Sequence, residues 1–206
     1  MRPIRTQVLG DLTARVFVCA LFVLLSVNLL ADYMKTGRIT GLFFLVSEAL
    51  VVALTLFRRR AHTVDRSVSS GVLTIVSLLS PPLMRAGHGV ALVPDALTVA
   101  VSTLGVAIVI LGKITIGRSF GIAPANRGIV ARGPYTVVRH PIYAGYLLTH
   151  AAALAAYPSP WNVFIIIAGD AALIFRALAE ERVLSTDREY QAYCGRVAWH
   201  LVPGVF

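Results

Sequence analysis

The sequence predicts an all-α fold: a polytopic membrane helix bundle of about six transmembrane helices, with a helical hairpin made by helices five and six and a cytosolic C-terminal segment. Three observations carry this expectation. Hydrophobic residues make up 57% of the 206 residues and charged residues only 14%, whereas about a quarter of a soluble domain is charged. The mean hydropathy is +0.75. The charges stand in short clusters between apolar runs, as topology determinants do. That placement argues against nucleic acid as the partner of a chain with net charge +9.

A spanning helix needs about 20 mostly apolar residues. Residues 14–34 meet this, and so do residues 39–57. The first run is expected to be retained, since its apolar core is too long for a signal peptide and no small-residue cleavage site follows Leu30. The third run, 67–84, is interrupted near its end by Ser-Pro-Pro-Leu-Met, and the fourth covers 95–112, ending at Gly112-Lys113. The fifth begins at Pro141 and stops before the turn Tyr157-Pro158-Ser159-Pro160; the sixth returns over 161–178. Residues 1–112 thus hold helices one to four, and residues 113–206 hold a loop, the hairpin and a polar tail. Cys19 lies in the first run and Cys194 in the tail, so no disulfide framework is expected.

Six spans put both termini on one side. On that side fall three Lys or Arg before residue 16, four in 58–66, five in 113–139 and four from 176 onward, against Lys35, Arg38 and Arg85 on the other. The positive-inside rule then makes the termini and residues 113–140 cytosolic.

The stretch ARGPYTVVRHPIYAGYLL, residues 131–148, gathers polar groups at this cytosolic edge. Pro141 suits the first turn of a helix. A residue before proline is pushed out of the α region, which sets His140 outside that helix. The free N–H groups of Ile142 and Tyr143, with the helix dipole, form an anion site to which Arg139 adds donors. Tyr143 and Tyr146 share a helical face, and Gly145, Thr149 and Ala153 form a small-residue stripe that lets another helix approach. The plain alternative is an interfacial belt of tyrosines and snorkelling arginine.

These residues resemble a known signature. Gly133, Tyr135, Arg139, His140, Pro141, Tyr143 and Gly145, then Arg176, Glu180 and Glu181 in FRALAEERVL, then Tyr190, Tyr193 and Pro203, follow the pattern of the isoprenylcysteine carboxyl methyltransferase and phospholipid methyltransferase superfamily. The upstream LGKITIGRSFGIAPANRGIVARGPY is similar to bacterial members, and the resemblance covers about residues 111–206. It implies a multi-pass enzyme of a bacterial cytoplasmic membrane that uses S-adenosylmethionine. The cofactor pocket would involve Tyr135, Val138, Arg139, His140, Pro141, Tyr143, Gly145, Glu180, Glu181 and Tyr190, with Arg176 and Glu180 at the reacting centre. The implied partners are a lipophilic small-molecule or lipidated acceptor and membrane lipid. An isoprenylcysteine-like carboxylate comes first, with a phospholipid amine or a small thiol as alternatives.

Spacing alone makes Arg176 and Glu180 an ordinary helix ion pair, four residues apart. The hairpin, however, would bring both beside His140 and Tyr143. Glu48, His150 and Asp170 fall near the middles of their helices, where ionisable groups are functional candidates by default. His150 and Asp170 nearly mirror each other across the turn and can pair as a structural hydrogen bond. As metal ligands these residues are too few and too scattered, so no metal is expected. Two other classes stay open on sequence grounds, a membrane NADPH-dependent reductase of the sterol-reductase type and a non-catalytic membrane scaffold.

Overall fold

A computed structural model describes residues 2–37, 39–57, 63–65, 67–85, 90–121 and 124–206. The side chain of Glu48 lies outside the described residues, as do Arg38 and the arginines at 58–60 and 66. The described chain is helical apart from one short strand pair: α1 (Arg2–Thr36), α2 (Thr40–Phe57), α3 (Val68–Leu83), α4 (Asp95–Ile116), α5 (Pro141–Ala156), α6 (Pro160–Leu184) and α7 (Arg188–Cys194). β1 (Thr63–Val64) pairs antiparallel with β2 (Ala125–Asn126), tying the α2–α3 loop to the α4–α5 loop.

All six expected helices form. Among the described residues three stretches are long and apolar enough to cross a membrane: Arg15–Lys35, Asp95–Ser119 and Pro160–Leu184. At a rise of about 1.5 Å per residue, the 16 residues of α5 extend only about 24 Å. Two helices run further than the apolar pattern suggested. α4 continues to Ile116, so Lys113 does not open the loop. Its side chain is fully buried and its ammonium lies 4.9 Å from the Tyr146 ring centroid, a cation–π contact that offsets lost hydration. α6 continues to Leu184, placing Arg176, Glu180 and Glu181 on one unbroken helix.

The hairpin helices face different neighbours. α5 packs most extensively on α4, and α6 on α3. The α4–α5 seam follows from the small-residue stripe: a Cβ built on Gly145 would stand 2.6 Å from Val109 Cγ2 and 2.7 Å from the Gly105 carbonyl oxygen. Only a residue without a side chain lets the backbones approach this closely. On the other side, the buried Ser80 hydroxyl donates to the Ile165 carbonyl at 3.0 Å, joining α3 to α6.

Polar cross-links hold the hairpin itself. Ser159 caps α6 by accepting from the Asn162 N–H. Asn162 is fully buried, and its amide donates to the carbonyls of Tyr157 at 2.7 Å and Arg85 at 2.9 Å. Its Oδ1 accepts from the Arg85 N–H at 2.9 Å. Tyr157 donates to Asp32 of α1 at 2.8 Å. Deeper in the bundle, His150 Nδ1 lies 2.6 Å from Asp170 Oδ1, the pairing expected from their mirrored positions.

The seam sets a clear expectation. Gly145→Ala should destabilise the protein by about 1–3 kcal/mol, because the methyl group meets backbone that cannot swing aside. Gly71→Ala, with nothing within 4 Å of the new methyl, should be neutral or slightly stabilising. Melting curves of the two detergent-solubilised variants compare them; equal midpoints would contradict the packing account.

Candidate active site

The site is assembled from backbone outward. Gly133 has φ +56°, a left-handed conformation that L side chains rarely adopt. It starts the 3-10 turn Gly133–Thr136, which delivers Tyr135 into the interior. His140 follows with φ −127° and ψ 62°, outside the helix, and Pro141 occupies the first helical position. Its φ and its exclusion from the α region fit the X-Pro restriction, although ψ falls short of the roughly +120° or more usual before proline. The N–H groups of Arg139 and His140 donate to the carbonyls of Trp199 and His200, each at 2.9 Å. The C-terminal tail therefore runs alongside the Arg-His-Pro triplet.

Glu181 is the hub of the side chains. Its Oε2 accepts from Arg139 Nη1 at 3.0 Å, and its Oε1 lies 2.9 Å from His140 Nε2 and 2.6 Å from His200 Nδ1. Arg139 Nε also donates to the Val197 carbonyl at 2.8 Å. An ionised carboxylate only accepts, so each ring nitrogen facing it carries a proton. The hydrogen bond thereby selects the Nε2–H form of His140, and in the neutral ring leaves Nδ1 as the acceptor.

Glu180, one residue earlier, points elsewhere and accepts from the Tyr143 hydroxyl at 2.9 Å. The Tyr143 ring stacks on His140, with centroids 5.4 Å apart and planes 3° from parallel. Arg176 stands behind that ring, its guanidinium carbon 5.4 Å from the centroid. Its Nη2 donates to the Gly121 carbonyl at 3.2 Å and its Nη1 to Ser77 Oγ at 3.5 Å. Arg176 and Glu180 form no ion pair, although four residues apart. The tyrosine hydroxyl takes the carboxylate, and the α4–α5 loop takes the guanidinium.

A cavity of about 700 Å³, counting the part open to solvent, lies against these groups. One wall is Tyr135, Arg139, His140, Ile142 and Tyr143; the opposite wall is Glu180, Leu184, Tyr190 and Tyr193. Ile116, Ser119, Phe120 and Gly121, followed by Ala125 and 127–130, close the remainder. This closing segment is fastened at both ends. Asn126 donates to Asp187, the N-cap of α7, at 2.8 Å, and Ser119 donates to the Arg127 carbonyl at 3.1 Å.

Burial sets the character of the tyrosines. It raises Tyr193 to about 12 and pushes Tyr135 and Tyr190 well above the usual phenol range, with nearby carboxylates adding to it. All three stay neutral donors near pH 7. The Tyr193 hydroxyl donates to the Tyr135 carbonyl at 2.7 Å. The Tyr190 hydroxyl is buried at the cavity wall with only the weakly hydrogen-bonding Cys194 thiol beside it. Such a donor is suited to a ligand in the cavity.

Of the residues singled out from sequence, Tyr135, Arg139, His140, Tyr143, Glu180 and Tyr190 meet at the cavity. Val138, Pro141, Gly145 and Glu181 lie outside its lining: Gly145 belongs to the helix seam, and Glu181 grips the triplet from behind. Arg176 is also outside the lining, behind Tyr143. The wall formed by Ile116, 119–121, Ala125 and 127–130 lies in the stretch that carries the bacterial resemblance, but none of these residues is among the expected site residues. Its signal was the run of small and turn-forming residues in IGRSFGIAPANRG. Among the described residues no group of three or more His, Cys, Asp or Glu is placed to hold a metal.

The phospholipid methyltransferase family model matches residues 89–191. The chain belongs to this family. Membership makes it a membrane methyltransferase, and the match runs from just before α4 into α7, covering every residue of the cavity lining except Tyr193. No curated protein matches the chain. The tail that carries His200 lies beyond the matched residues.

The two neighbouring glutamates should separate in their effect on stability. Glu181→Gln weakens hydrogen bonds to Arg139, His140 and His200, and should cost about 1.5–3 kcal/mol or more. Glu180→Gln, with one partner that can donate to the amide oxygen, should leave the melting midpoint nearly unchanged. Thermal unfolding of both variants checks this; a larger loss for Glu180→Gln would contradict the hub.

Proposed function

We propose that the cavity binds S-adenosylmethionine from the cytosolic side and that the protein methylates a lipophilic acceptor arriving laterally from the bilayer. The observation that carries this reading is the set of polar and aromatic groups around the cavity: a carboxylate, two guanidinium groups and stacked aromatic rings. S-adenosylmethionine offers a carboxylate, an ammonium and an adenine, which these groups complement in kind. Arg139 and the N-terminus of α5 would take the carboxylate, Glu180 the ammonium, and the tyrosine pair Tyr190 and Tyr193 the adenine. The Tyr190 hydroxyl, with only a thiol beside it, gives the fit a further donor. When bound, the cofactor supplies an electrophilic sulfonium methyl group for in-line displacement.

The chain's part in such a reaction is orientation with some electrostatic help. Tyr143 holds the Glu180 carboxylate, and Arg176 fixes Tyr143 from behind while anchoring Gly121 of the cavity wall. Arg176 is therefore read as a positioning residue rather than a ligand of the acceptor. A carboxylate acceptor, such as an isoprenylcysteine-like acid, needs no base. A phospholipid amine would need one, and Glu180 is the carboxylate at the cavity. The charge distribution supports cytosolic termini and a cytosolic loop between α4 and α5, and the likeness of the stretch before Tyr135 to bacterial members supports a bacterial cytoplasmic membrane.

Methyl transfer from labelled S-adenosylmethionine into a panel of lipophilic acids, thiols and amines tests the reading. Glu180→Gln should lower turnover on the order of a hundredfold. Tyr143→Phe, which keeps the ring and removes the hydroxyl, should lower it about tenfold. Wild-type turnover in both variants would remove Glu180 from the reaction.

A further inference from the structure

We infer that His200 is a positioning residue of the site: acting through Glu181, it fixes the His140 ring and the Arg139 guanidinium at the cavity. The inference rests on the reading of the cavity as the cofactor site. His200 belongs to the tail at 197–206, outside the family match at 89–191, yet it touches the triplet's supports twice. Its carbonyl accepts from the His140 N–H at 2.9 Å, and its Nδ1 lies 2.6 Å from Glu181 Oε1. That same oxygen lies 2.9 Å from His140 Nε2. One carboxylate oxygen is thus shared by two imidazoles, while its twin receives Arg139.

The sharing gives His200 its leverage. Glu181 has several rotatable bonds, and its carboxylate is held in one orientation by donors on both sides. Arg139 draws Oε2, and His200 draws Oε1 into line with His140. Without the His200 donor, Oε1 is directed only by the histidine whose proton it is meant to fix. The His200 ring is itself steadied by stacking on Phe206, with centroids 4.7 Å apart and planes at 22°. Yet its side chain is 27% exposed, so it is a bracket at the site's edge and not part of the core. Outer partners that orient metal-ligating histidines commonly change affinity or activity by about tenfold or more, and His200 stands in the same relation to His140 here.

The test uses the full chain in detergent with His200→Ala and His200→Asn, whose amide nitrogen can occupy the place of Nδ1. Calorimetric titration with S-adenosylhomocysteine should show about tenfold weaker binding in His200→Ala, mostly recovered in His200→Asn, with melting midpoints close to wild type. Nitrogen-15 imidazole spectra of the ligand-free protein should show His140 as a single Nε2–H form in wild type and His200→Asn. In His200→Ala the same ring should become a mixture. Wild-type affinity and a single form in His200→Ala would overturn the inference, as would equal losses in both variants. A wild-type protein that binds no S-adenosylhomocysteine would sink the cofactor reading; the histidine spectra would then decide the positioning role alone.

Discussion

The geometry of the site depends on one carboxylate. Glu181 receives Arg139, His140 and His200, and so binds the end of α6 to the loop before α5 and to the C-terminal tail. Glu181 lies 41 residues from His140 and 19 from His200 in sequence, and the bonds of Arg139 to Val197 and of Tyr193 to Tyr135 join the same elements. A half-buried carboxylate with three charged or polar donors recovers in the protein the hydrogen bonds it gives up in water. With no such donors the same burial would be costly. The backbone bonds from Arg139 and His140 to Trp199 and His200 then add the register that the side chains alone would leave loose.

Helix packing brings the parts within reach of that carboxylate. The Gly145 seam holds α5 close to α4, so Ile116 and Ile142 meet at the cavity. The Ser80 contact holds α6 on α3, and the two hairpin helices meet less extensively, through shared apolar clusters and a few polar links. Tyr143–Glu180 and His150–Asp170 are two of those links. Arg176 supplies the third dimension, fixing a ring of α5 and a carbonyl of the α4–α5 loop from its place on α6. Glu180 and Glu181 are consecutive, so the helix turns them toward different partners, one to the cavity and one to its scaffold.

Much of this was legible in the sequence because it follows from local rules. Apolar runs of spanning length gave the helices, and the proline after His140 fixed where α5 starts. The small residues at 145, 149 and 153 marked a seam, although not which helix would fill it. Mirrored positions about the Pro-Ser-Pro turn paired His150 with Asp170. What could not be read depends on tertiary partners. Arg176 and Glu180 have ideal ion-pair spacing, and only the positions of Tyr143 and Gly121 draw them apart. Lys113 resembles a loop residue until the Tyr146 ring is seen beside it. The wall at 116–130 is a run of small, turn-forming residues with no periodicity, and its role emerges only once Asn126 is fastened to Asp187. The His200 contribution needs the tail to fold back across the triplet, which no local spacing announces.

The central claim is that this cavity is built for S-adenosylmethionine, and ligand-dependent melting of the wild-type protein tests it most directly. S-adenosylhomocysteine should raise the melting midpoint progressively with concentration, as expected for a ligand that binds only the folded state. NADPH should leave the midpoint where it is. A rise with NADPH and none with S-adenosylhomocysteine would contradict the account.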